Sequence, residues 1–207
     1  MITRLRSLFN KVDRSLDVNA ITEEERFSKA EDGDRRPKTA VQALGLMLPL
    51  VRRYDGKARL KLMVSQHGVH LDGASAHWEF FFDLASRQAQ LAGEWVLDLD
   101  EEGDHYTLSH VDIIIRPFPP ANSPLRQMVN EGHLLHRQLA GLWQQELQRS
   151  PDLPVHFRDT NMALADFIQQ GLDPTLDEFS LTTGRSPDGR ICWMAQTRDK
   201  TYYAALE

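Results

Sequence analysis

The stretch HWEFFFDL, residues 77–84, sets Trp78, Phe80 and Phe82 against Glu79, Phe81 and Asp83 in the two-residue period of a strand. Phe81 shares the outward parity of the acidic residues, so this strand is apolar on one face and mixed on the other. A shorter echo, ICWMA at 191–195, places Trp193 115 positions after Trp78. These two tryptophan strands are the centres around which the chain divides.

Upstream of the first, Ala40, Val41, Ala43, Leu44, Leu46, Met47 and Leu48 form a short helix, with Pro37 suited to its first turn. Leu60, Leu62 and Val64 then alternate with Arg59, Lys61 and Met63 as a strand. Leu91, Trp95, Leu97 and Leu99 give a further strand, with Gly93 a place for close backbone approach. An acidic hairpin over 98–104 leads into a last strand over 105–116. The order is one helix followed by an antiparallel meander of about four strands.

The order recurs. Asp159 or Thr160 caps a helix running to Gln170, with Gly171 as its terminator. Phe179 and Leu181 then resemble Leu60 and Leu62, Trp193 takes the place of Trp78, and Ala204-Ala205-Leu206 aligns with Ala89-Gln90-Leu91 at the same offset of 115. This arrangement, over 39–99 and 160–206, resembles the tandem α/β repeats of PepSY-like and beta-lactamase-inhibitor-protein-like domains. The resemblance implies a protein that lacks catalytic residues and acts by binding.

Between and before the units lie three other segments. Residues 1–16 place Ile2, Leu5, Phe9, Val12 and Leu16 on one helical stripe, with Arg4, Arg6, Lys11 and Arg14 largely off it. Such a basic amphipathic helix packs on its own domain or on a second subunit; peripheral contact with an anionic membrane is the other use. Residues 17–38 alternate charges and are nearly free of apolar side chains, the composition of a linker. Residues 125–149, after a proline-rich connection, carry a broad apolar face on a second long helix. The expected fold class is therefore α+β: an arm over 1–16, a linker over 17–38, a first unit over 39–123 and a second over 124–207, the two possibly sharing one sheet.

Bulk composition limits the function classes. With 207 residues, 41% hydrophobic and 26% charged, the chain can bury a real core. A net charge of −6 argues against a general nucleic-acid surface. The lone cysteine forbids an internal disulfide, and residues 1–15 lack a secretory h-region, so a cytoplasmic protein is expected. No GxSxG, P-loop or GxGxxG motif occurs.

Two chemistries compete on the remaining residues. Trp78, Phe80, Phe81, Phe82, Trp95 and Trp193 are the binding candidates, because large rigid aromatics anchor interfaces, although core packing uses the same residues. His67, His70, His77, His133 and His136 invite a metalloenzyme or a His-dependent hydrolase. A metal needs three or four donors at about 2.0–2.3 Å, and no HExxH or CxxC pattern supplies them. Asp98, Asp100 and Glu102 imitate a calcium loop, but Ser109 stands where its bidentate glutamate belongs. Cys192 reads as a buried structural thiol. The sequence thus favours a non-catalytic cytoplasmic interaction or regulatory protein without metal or cofactor, binding a protein partner or itself through a sheet face or a groove between the units. The alternatives are the His-dependent enzyme and a small-molecule binder between the units.

Overall fold

The computed structural model describes residues 25–31, 35–65, 69–84, 86, 89–100, 105–117 and 150–207. Strands β1 (Glu25–Glu31), β2 (Arg59–Ser65), β3 (His77–Leu84), β4 (Ala89–Leu99), β5 (Tyr106–Pro117), β6 (Ser180–Arg185), β7 (Ile191–Gln196) and β8 (Thr201–Ala205) accompany helices α1 (Ala40–Tyr54) and α2 (Thr160–Gln169). All eight strands join one sheet in the order β1-β5-β4-β3-β2-β6-β7-β8. Every pairing is antiparallel. The fold class is α+β. The expected helices over 1–16 and 125–149 lie outside the described residues, as do His67, His133 and His136.

Both helices pack on one face of the sheet. There the β3 side chains Trp78, Phe80, Phe82 and Leu84 are buried, and their register partners on β4 are Trp95, Gly93, Leu91 and Ala89. α1 begins at Thr39, whose side chain forms a capping box with Gln42, and it runs through Pro49 to Tyr54. Pro37 therefore precedes the helix instead of opening it. Ala40, Ala43, Leu44, Met47 and Val51 turn the helix's apolar stripe to the sheet.

Each tryptophan strand is tied to the chain just before a helix. The Trp78 indole N–H donates to the Lys38 carbonyl at 2.7 Å, and the Trp193 indole N–H donates to the Arg158 carbonyl at 2.8 Å. Lys38 and Arg158 both precede the N-cap residue of a helix, Thr39 and Asp159. The two indoles then meet edge to face, 6.1 Å between centroids.

The helix N-termini also meet. One Asp159 carboxylate oxygen accepts from its own Thr160 N–H at 2.8 Å and from the Val41 N–H of α1 at 3.1 Å. The buried Thr160 hydroxyl donates to the Gly73 carbonyl at 2.7 Å and accepts from the Ala40 N–H at 3.4 Å. Gly73 holds φ +77°, and a Cβ there would collide with the Thr160–Asn161 backbone. Beyond α2, Gly171 takes φ +97° as the expected terminator. The Gln170 side-chain amide donates to the Tyr203 carbonyl at 2.7 Å and accepts from the Tyr203 N–H at 3.4 Å.

Two expectations need correction. Residues 25–31 are not linker but strand β1, paired with β5 from Glu25↔Ile115 to Glu31↔Ser109. The backbone ladder holds them, and among their described side chains Phe27 turns inward, its ring 5.3 Å from Tyr54. Lys38 is also ordered, exchanging backbone hydrogen bonds with Ser75 at 3.0 and 2.8 Å. The second correction is in β2, where a bulge between Leu60 and Leu62 breaks the alternation. Leu60, Met63 and Val64 are consequently buried, while Leu62 pairs with Phe81 and is half-buried.

At Gly93 α1 approaches the sheet closely: a Cβ added there would run into the Met47 thioether, with Cε at 3.0 Å and Cγ at 3.1 Å. Met47 is itself fully buried and has little room to yield. Gly93→Ala is therefore expected to lower unfolding free energy by about 1–3 kcal/mol in a urea titration, as overpacking does. Combined with Met47→Ala it should cost less than the sum of the two single changes, since truncating Met47 removes the clash.

Candidate functional site

With both helices on one face, the odd-numbered side chains of β3 project from the other. Register sets them in three rows across β3, β4 and β5. His77, Val96 and His110 form the first, Glu79, Glu94 and Asp112 the second, and Phe81, Ala92 and Ile114 the third. All nine are half-buried.

The polar rows hold two imidazole–carboxylate clusters with different geometry. His110 lies between two carboxylates, its Nδ1 3.4 Å from Asp98 and its Nε2 3.3 Å from Asp112. His77 instead has one nitrogen, Nε2, facing both Glu79 at 3.7 Å and Glu94 at 3.8 Å. Nε2 and one carboxylate oxygen of each glutamate all lie within 4.8 Å of one another. Burial, and then the neighbouring Glu94 carboxylate, push the Glu79 carboxyl up to about 7. This patch favours positive charge, whether a proton, a metal ion or a cationic side chain.

Of the aromatic candidates, Trp78, Phe80, Phe82, Trp95 and Trp193 are at most 1% exposed and build the core beneath the helices. Their area stabilises the fold and presents no surface to a ligand. Phe81 alone among them lies on the sheet face opposite α1 and α2, where it is half-buried. Of the histidine candidates, His77 enters the polar cluster, whereas His70 is exposed and uses its backbone in a turn to Ala74. Glu94, His110 and Asp112 were not singled out from sequence, and Asp98 was weighed there only within the imitation of a calcium loop. The signal for Glu94 was present, because pairing Trp78 with Trp95 sets Glu79 opposite Glu94.

Cys192 is buried, and burial pushes its thiol up, the opposite of what a nucleophile needs. Among the described residues no helix is long and apolar enough to cross a membrane. No family model, curated protein or solved structure matches this chain.

The raised Glu79 carboxyl links stability to pH. The folded state holds this proton more tightly than the unfolded chain between the ordinary value of 4.5 and about 7, so the contribution is present below that window and is lost as pH rises through it. Glu79→Gln should therefore gain melting temperature relative to the wild type as pH is raised from 4.5 to 7. Parallel melting curves for the two proteins across those pH values would refute the assignment.

Proposed function

We propose that this protein is a non-catalytic, cytoplasmic binding protein, built from two related helix-plus-sheet units, whose sheet face opposite α1 and α2 takes a protein partner or a second copy of the chain. The observation behind this reading is the composition of that face. The apolar row Phe81, Ala92 and Ile114 lies directly beside the carboxylates Glu79, Glu94 and Asp112. Such a surface suits a segment that is apolar on one side and basic on the other, by burial and by charge.

Residues 1–16 have that character in sequence, with Arg4, Arg6, Lys11 and Arg14 beside the stripe Ile2, Leu5, Phe9, Val12 and Leu16. A second copy is accordingly the partner we favour. Net negative charge and the acidic rows oppose nucleic acid.

Relatedness of the units is supported by matching positions. The helix contacts Ala40, Ala43, Leu44 and Met47 correspond to Thr160, Ala163, Leu164 and Phe167 at a constant separation of 120. The two indole-to-carbonyl bonds occupy the same place in each unit, and the first strands of the two meanders, β2 and β6, pair antiparallel. A tandem PepSY-like or inhibitor-like ancestry is consistent with this pattern, and binding without catalysis goes with it.

Light-scattering mass across a dilution series tests the self-association reading. The full chain should dimerise with rising concentration, while Ile114→Lys and a chain with Arg4, Arg6, Lys11 and Arg14 all changed to Glu should stay monomeric with unaltered circular dichroism. A monomeric wild type at every concentration would remove the second copy as partner.

A further inference from the structure

Among the described residues the shortest ladder in the sheet is the one between β2 and β6, where only Val64↔Thr182 and Ser65↔Leu181 are in register. Toward Arg59 that ladder stops. The Met63 N–H donates to the Thr183 hydroxyl at 3.0 Å, a side chain standing where a strand carbonyl would, and the Leu60 carbonyl accepts from the Leu153 N–H at 2.7 Å. The two ends of this seam are closed by different means. At the Ser65 end the helix junction reinforces it: the Ser65 hydroxyl donates to that of Ser75 at 2.8 Å, Ser75 exchanges backbone hydrogen bonds with Lys38, and the Thr160 hydroxyl reaches Gly73. At the Arg59 end the tie is the segment 150–158.

This segment is fastened to both halves of the sheet. On β2 the Lys61 ammonium donates to the Ser150 carbonyl at 2.9 Å and stands 2.5 Å from one Asp152 oxygen, while the other lies 3.3 Å from Arg59. On the far side Phe157 packs edge to face on Trp193, the Arg158 N–H donates to the Leu206 carbonyl at 2.7 Å, and the Arg158 carbonyl takes the Trp193 indole. Pro151 and Pro154 fix the backbone on either side of Asp152 and Leu153. The Lys61 side chain is only 10% exposed, so its ammonium relies on Asp152 more than on water. Lys61, and then Arg59, hold the Asp152 carboxyl below the usual carboxylate range. Side chains and one backbone bond therefore close an end of the seam that a ladder closes elsewhere in the sheet.

We propose that residues 150–153 are the clasp of a hinge: the Arg59 end of the β2–β6 seam opens and closes about its Ser65 end, and the Asp152–Lys61 ion pair holds it shut. Local opening concentrates where few backbone bonds cross between elements, and the Arg59 end of this seam is such a place. Opening uncovers the β2 backbone over Leu60–Met63, a strand edge that Leu153 and Thr183 occupy in the closed form. The clasp acts within one chain, so it does not depend on the proposed association.

Native-state amide hydrogen exchange, followed by NMR on the full chain, tests the hinge. In Asp152→Asn the N–H groups of Leu153 and Met63 should both exchange about tenfold faster than in the wild type, because one opening breaks both bonds. Those of Phe80 and Phe82, within β3, should keep their wild-type rates. Lys61→Met removes the other partner of the ion pair and should act in the same way, and it decides the matter if Asp152→Asn does not fold. Faster exchange at Leu153 with Met63 unchanged would mean that the segment frays alone, and would overturn the hinge. Unchanged rates at both amides would overturn it as well, as would an equal acceleration that includes Phe80 and Phe82, the mark of global unfolding.

Discussion

Two helices point their N-termini at the same spot above the β2–β6 seam, and one carboxylate serves both. Helix N-termini carry partial positive charge and unpaired N–H groups, so bringing two together is unfavourable unless something negative lies between them. Asp159 is that group, and the buried Thr160 hydroxyl ties the junction to the Gly73 carbonyl below. With the junction fixed, α1 and α2 diverge over opposite halves of the sheet. The indole anchors of Trp78 and Trp193 then find their carbonyls just upstream of the two caps.

That arrangement divides the labour between the sheet's faces. Among the described residues, the tryptophans and Phe80, Phe82 and Phe167 are spent under the helices, where their burial stabilises the fold. The other face receives what the strand alternation leaves over: carboxylates, two imidazoles and one apolar row. Any chemistry the sheet offers is therefore polar and is set by register, because residues from three strands must align to make it. A slip of one residue between β3 and β4 would separate Glu79 from Glu94 and abolish the cluster.

The sequence made the local elements legible and left the non-local ones obscure. The alternation of β3 and the Thr160–Gln169 helix with its Asp159 cap follow from short-range pattern. β1 did not, because an edge strand with one inward side chain, Phe27, has no apolar period to detect. The β2 bulge escaped for a related reason: an extra residue is visible only against a partner strand. Reading the tryptophans as binding anchors failed because the same residues suit a core or an interface, and only the position of the helices decides between them. The histidines separated likewise, His77 being placed by strand register beside Glu79 and Glu94 while His70 fell in a turn.

Among the described residues the sheet runs from β1 to β8, and an edge strand is a template on which another chain can add a strand. On the β8 side the Gln170 amide occupies that template. Its nitrogen and oxygen engage the carbonyl and N–H of Tyr203 as the backbone of a ninth strand would. One side chain at the end of α2 thus fills a hydrogen-bonding slot through which sheets of neighbouring molecules would otherwise fuse. A strand adding at that edge would first have to displace Gln170 from Tyr203.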